Sequence, residues 1–133
     1  MRFLLDTNII SDLIKHPKGA AEAGIRQVGE DNVFTSIIVA AELRFGVLKR
    51  GSSRLASLVN GALERVGVVD FAAPSDRLYA ELRVHLERRG TPIGAKDCLI
   101  AGHALGTEST LVTDNVREFS RVPGLVIENW LRQ

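Results

Sequence analysis

Short, continuously apolar runs alternate with longer amphipathic stretches along this chain, and that rhythm leaves few folds open. The runs are Phe3-Leu4-Leu5, Val33-Phe34-Thr35, Val68-Val69-Asp70-Phe71, Thr110-Leu111-Val112-Thr113 and Leu125-Val126-Ile127. A strand wetted on one face alternates apolar and polar residues, whereas a strand covered on both faces reads as an unbroken apolar run. The pattern predicts an α/β fold, with a central parallel sheet and helices on both faces. With 133 residues, 45% of them apolar, the chain is long enough for a sound core. No repeat or linker divides it, so residues 1–133 are predicted to form a single domain.

The stretches between the runs carry helical periodicity. Ile9, Ile10, Leu13 and Ile14 predict a helix that stops near His16-Pro17. A second short helix is predicted over residues 20–30. Ser36 opens a third, with Ile37, Ile38, Ala41, Phe45 and Leu48 on one face, ending by Gly51. Ser53 starts a fourth, whose stripe is Leu55, Leu58, Val59, Ala62, Leu63 and Val66. A helix after Ser75 buries Leu78, Tyr79, Leu82 and Leu86, and the next starts after Gly94. A short helical turn runs from Val116 to Phe119.

Four acids stand where this architecture gathers ligands. Asp6 directly follows the first strand and Asp114 the fourth, both at the carboxyl edge of a parallel sheet. Glu42 lies four residues after Ile38 and three before Phe45, at the border of its helix's apolar stripe. Asp97 shares a face with Ile100, Ala101 and Ala104. At a helix start, Asp97 by itself reads either as a cap or as a ligand. Carboxylates facing a core are costly unless paired or metal-bound. Lys96 and Arg44 are sequence neighbours of these acids, but adjacent helical residues point about 100° apart. Oxygen donors without His–Cys spacing favour Mg²⁺ or Mn²⁺ over Zn²⁺. A divalent ion lowers the pKa of the water it holds and neutralises phosphate charge, so phosphodiester hydrolysis needs no nucleophilic side chain.

The bulk properties exclude other classes. No apolar run approaches a membrane span, and Asp6 interrupts the N-terminal run too early for a signal peptide. Cys98 is the sole cysteine, so no internal disulfide forms; that suits a reducing cytoplasm. Net charge is only +1, yet thirteen of the seventeen cations are Arg, the better side chain for forked phosphate contacts. His16, His85 and His103 lack metal-ligand spacing. Asp6-Thr7-Asn8 lacks the Asp-x-Asp pair of a phosphohydrolase.

The chain resembles the PIN-domain ribonucleases, and most closely the VapC toxins of bacterial type II toxin–antitoxin pairs. The matching pieces are residues 3–8 (Phe-Leu-Leu-Asp-Thr-Asn), 35–46 (Thr-Ser-Ile-Ile-Val-Ala-Ala-Glu-Leu-Arg-Phe-Gly), 93–101 (Ile-Gly-Ala-Lys-Asp-Cys-Leu-Ile-Ala) and 111–119 (Leu-Val-Thr-Asp-Asn-Val-Arg-Glu-Phe), the last running on to Trp130. The resemblance implies a PIN-like fold and a Mg²⁺-dependent endoribonuclease, with Mn²⁺ as an alternative ion. It puts Asp6, Glu42 and Asp97 on the family's core acids, with Asp6 and Asp97 as metal ligands. The fourth position falls on Asp114 or Asn115; its charge favours Asp114. Thr7, Ser36 and Thr113 are candidates to hydrogen-bond the carboxylates or a metal-held water. Arg44 is a candidate for substrate phosphates, as is Lys96, which stands where the family often has a polar or small residue. The resemblance further implies a bacterial cytoplasmic homodimer held inactive by a cognate VapB-type antitoxin. RNA is then the substrate, and DNA is met only through the antitoxin. The alternative is a catalytically silent PIN-fold binding module acting in a regulatory complex.

Overall fold

The computed structural model describes residues 1–132; Gln133, the last residue of the predicted domain, lies outside the described residues. Five parallel strands form one sheet: β1 (Phe3–Leu5), β2 (Val33–Ser36), β3 (Val68–Val69), β4 (Thr110–Val112) and β5 (Ile127–Glu128), in the order β3-β2-β1-β4-β5. The helices are α1 (Thr7–Lys15), α2 (Ala20–Val28), α3 (Ile37–Arg50), α4 (Ser53–Val66), α5 (Ser75–Arg88), α6 (Ala95–Gly106) and α7 (Val116–Phe119).

Chain order and strand order together locate the site. From β1 the sheet grows outward to β2 and β3, and the chain then returns through α5 and α6 to β4, on the other side of β1. Right-handed crossovers place the helices of the two excursions on opposite faces. The reversal falls between β1 and β4, and the crevice at the carboxyl ends of those strands is where such sheets bind ligands. The inner strands justify the unbroken apolar runs: β1, β2 and β4 are buried throughout. The edge strands β3 and β5 are only two residues long and partly exposed.

Three expectations need correction. The third strand stops at Val69 and does not reach Phe71, because only Val68 and Val69 pair with Thr35 and Ser36 of β2. The last strand is Ile127–Glu128 rather than Leu125–Ile127, because register pairs Leu111 with Ile127 and Val112 with Glu128, leaving Val126 exposed. The face of α3 is also reversed. Val39 and Ala40 are buried, whereas Phe45 is 66% and Leu48 81% exposed. Two apolar stripes compete on this helix, 37-41-45-48 and 39/40-43-47. Packing on α4 turns the second inward, where Ala40 meets Val59 and Leu63. Periodicity cannot choose between two apolar faces. At the far end of the chain, Trp130 is buried 5.9 Å from the Phe3 ring and covers Gly24 so closely that no side chain fits there.

Candidate active site

Asp6 is the first residue beyond β1. Its N–H still donates to Val112 O (2.9 Å), so it stays in register with β4. Its Oδ1 accepts from Thr7 N (2.8 Å), which makes Asp6 the cap of α1, and its Oδ2 accepts from Thr113 Oγ1 (2.7 Å), just past β4. Asn8 Nδ2 stands 3.5 Å from both Asp6 Oδ2 and Thr113 Oγ1, while Asn8 Oδ1 accepts from Asp114 N (3.0 Å). The carboxylate is therefore fixed from both strand ends. Burial pushes its pKa up, and the bonds from Thr113 and Thr7 pull it back.

Asp97 sits in the first turn of α6 but does not cap it. Gly94 is the N-cap residue, and the helix has no side-chain cap. Asp97 is half-buried. Burial, then the charges of Glu118 and Asp6, raise its pKa to about 6 against the pull of Lys96. Glu118, from α7, comes within hydrogen-bonding reach of Asp97. It is held there by Gly94 N (3.1 Å, to Oε1) and Asn115 Nδ2 (2.9 Å, to Oε2). Glu42, half-buried in the second turn of α3, pairs with Lys96 Nζ of α6.

At the fourth position, the structure gives Asp114 and Asn115 different partners. Asp114 Oδ1 accepts from Asn129 Nδ2 and Arg132 Nε (both 2.9 Å), and these bonds lower its pKa. It shares a shallow depression with Thr7, Asn8 and Glu42, but its charge is already paired with Arg132. Asn115 acts on the acids indirectly, as the brace of Glu118. Glu118 was missed by sequence reasoning. The spacing Asn115-x-x-Glu118 across the start of a short helix was the available signal, since such a pair shares one face. Asn8 was missed likewise.

The remaining candidates separate cleanly. Thr113 touches Asp6. Thr7 Oγ1 is buried beside Asp6 with no hydrogen-bond partner among the described residues. Ser36 Oγ accepts from Ile38 N (3.0 Å) and lies 2.7 Å from His103 Nδ1, so it caps α3 and ties it to α6. Arg44 turns away, with Nη1 donating to Asn60 Oδ1 (2.7 Å) on α4. Lys96 stays at the acids.

Among the described residues, no three His, Cys, Asp or Glu side chains converge closely enough to cage an ion by themselves. Two carboxylates of raised pKa, with an orphaned hydroxyl beside them, suit an ion that keeps most of its own waters, as Mg²⁺ does. The donors present thus fit such an ion, and Asp6 and Asp97 are the carboxylates that could hold it.

Residues 3–125 match the family model of the PIN domain. The chain belongs to the PIN-domain family. It is 39% identical to Ribonuclease VapC2 of Rickettsia felis over 98% of each chain, and 35% identical to the tRNA(fMet)-specific endonuclease VapC of Salmonella typhimurium, again over 98% of each. Its fold superposes on that in the crystal structure of VapBC2 from Rickettsia felis bound to a DNA fragment from their promoter. There the TM-score is 0.89, with 38% identity over 98% of this chain and 99% of that one. Within the PIN-domain family, then, the chain groups with the VapC ribonucleases, and metal dependence is general among these enzymes.

Proposed function

We propose that this PIN domain is a VapC-type toxin, a Mg²⁺- or Mn²⁺-dependent endoribonuclease acting as one domain and restrained by a cognate antitoxin. The observation that carries the reading is the acid group Asp6, Asp97 and Glu118 at the β1–β4 switch point, where two carboxylates have raised pKa values and no arginine pairs with them. Asp6 and Asp97 would hold a divalent ion, which would supply a water of lowered pKa and charge neutralisation for the scissile phosphate. The protein's own part is positional. Thr7 and Thr113 orient the Asp6 carboxylate, and the N-terminal turn of α6 presents Asp97. Asn115 and Gly94 lock Glu118 against Asp97, where its charge deepens the negative potential that favours metal entry.

The surface supports the partners. An apolar groove lined by Ile14, Leu43, Val47, Leu55 and Val59 runs from Thr7 and Glu42, with Lys15 and Arg50 at its rim. It suits an antitoxin segment carrying apolar side chains and a few acids, and a segment lying there would approach the acid group. The exposed α3 stripe of Ile37, Phe45 and Leu48 is apolar surface available to a second copy of the chain. The Rickettsia felis VapBC2 complex bound to promoter DNA supports an antitoxin partner in an assembly that meets DNA. No helix among the described residues is long and apolar enough to cross a membrane, in keeping with a cytoplasmic enzyme.

The test is incubation of antitoxin-free protein with total bacterial RNA in Mg²⁺, Mn²⁺ or EDTA. Discrete metal-dependent fragments are expected, and tRNA is the first class to resolve, given the named specificity of the Salmonella typhimurium relative. Folded protein that binds RNA without cutting any of it would instead identify a silent module.

A further inference from the structure

Lys96 is placed unlike any other cation of the molecule. It is the second residue of α6, directly before Asp97, and its Nζ pairs with Glu42 Oε2 on α3. Its charge also lowers the pKa of both Asp6 and Asp97. One ammonium group therefore acts on three carboxylates that come from three different elements. Its side chain is 54% exposed, on a stem of four methylenes, so the head can leave Glu42 without disturbing the core.

We propose that Lys96 is the resident counter-cation of the metal-free site. Its ammonium holds Glu42 and damps the repulsion between Asp6 and Asp97, and a divalent ion entering the site must work against it. The inference rests on the metal-site reading above. It makes Lys96 the residue that sets how tightly the ion is held, and that leaves an ammonium beside the ion when the anionic substrate arrives. An ordinary surface ion pair strapping α6 to α3 has a different signature, because it would stabilise the fold equally with and without metal and leave metal affinity unmoved.

The experiment is calorimetric titration of the full chain with MnCl₂ at fixed ionic strength, beside melting curves in EDTA and in saturating Mn²⁺. Lys96→Met removes the charge and keeps most of the stem; Lys96→Arg keeps the charge. Lys96→Met should bind Mn²⁺ about three- to tenfold more tightly than the wild type, the size of one nearby charge in a partly solvated site. It should also melt lower in EDTA and recover in Mn²⁺. Lys96→Arg should stay within about twofold of the wild type, and the Met variant's gain should shrink as salt is raised. Unchanged or weaker Mn²⁺ affinity in folded Lys96→Met, with wild-type binding intact, overturns the proposal. Lys96→Gln repeats the test if the Met variant fails to fold. If the wild type binds no Mn²⁺ at all, the metal-site reading fails and the proposal fails with it.

Discussion

Two acidic clusters lie in this small domain, and they are built on opposite principles. On α2, Glu22 is buried and accepts a forked pair of hydrogen bonds from Arg65 (2.7 and 2.9 Å), while Arg65 Nε donates to Glu30 (2.7 Å) and Arg26 stands 3.7 Å from Glu22. The bonds from Arg65 hold Glu22 below the usual carboxylate range, and donating to Glu22 and Glu30 raises Arg65. At the sheet switch point, Asp6 and Asp97 have no arginine, lie near a third acid, and are raised. The first cluster joins α2, α4 and the turn at residues 30–32 into one unit. The second is left short of positive charge in a domain that has seventeen cations to offer. A carboxylate group that folding leaves with one exposed lysine and no arginine among the described residues is poised for an external cation.

The contrast can be broken first at its strongest point. Asp97→Asn should reduce RNA cleavage at least about a hundredfold, the scale of removing one key electrostatic group from a catalytic site. It should leave the metal-free protein no less stable, since the lost charge was unfavourable. A less severe change is Glu118→Gln, which keeps the bond from Gly94 N but removes the charge facing Asp97. Cleavage should fall roughly tenfold, and the Asp97 pKa, followed by NMR, should drop back toward the ordinary range. The paired cluster should respond in the opposite sense. Arg65→Ala leaves Glu22 without its partner and should cost about 1–2 kcal/mol by denaturant unfolding, discounted because Arg65 is one-third exposed. Cleavage per folded molecule should not change.

Proton linkage sharpens the same comparison. Asp97 has a folded-state pKa of about 6 against an ordinary 3.8. Between those values the folded state holds more protons than the unfolded one, so stability falls as pH rises through the window. In EDTA the wild type should lose stability from about pH 4 to pH 6 relative to Asp97→Asn. Saturating Mn²⁺ should reverse the loss at the upper end. The smallest effect is expected at Asp114, whose carboxylate binds Arg132 and Asn129. Asp114→Asn should change cleavage by less than about threefold, while slightly loosening the C-terminal tail in hydrogen exchange.

The parallel sheet was legible because its inner strands are buried on both faces and must be apolar throughout. The placement of Asp6 after β1 and of Asp97 in the first turn of α6 was legible because strand ends and helix starts can be located by counting residues. Three features were not. The inward face of α3 is chosen between two apolar stripes by packing against α4. The role of Asp114 depends on a tail eighteen residues further on, whose Arg132 reaches back to it. Glu118 stands against Asp97 because Gly94, twenty-four residues earlier in the chain, donates to it. Each is a contact between parts distant in sequence, which local periodicity does not encode.

The most direct test of this contrast is Mn²⁺ uptake by the purified, antitoxin-free chain, followed by the loss of free-ion EPR signal in the wild type, Asp6→Asn, Asp97→Asn and Arg65→Ala. Binding in the wild type and Arg65→Ala, lost or greatly weakened in both Asp variants, is the predicted result. Equal uptake by all four proteins, or uptake lost only in Arg65→Ala, would contradict the account and move the ion away from the β1–β4 crevice.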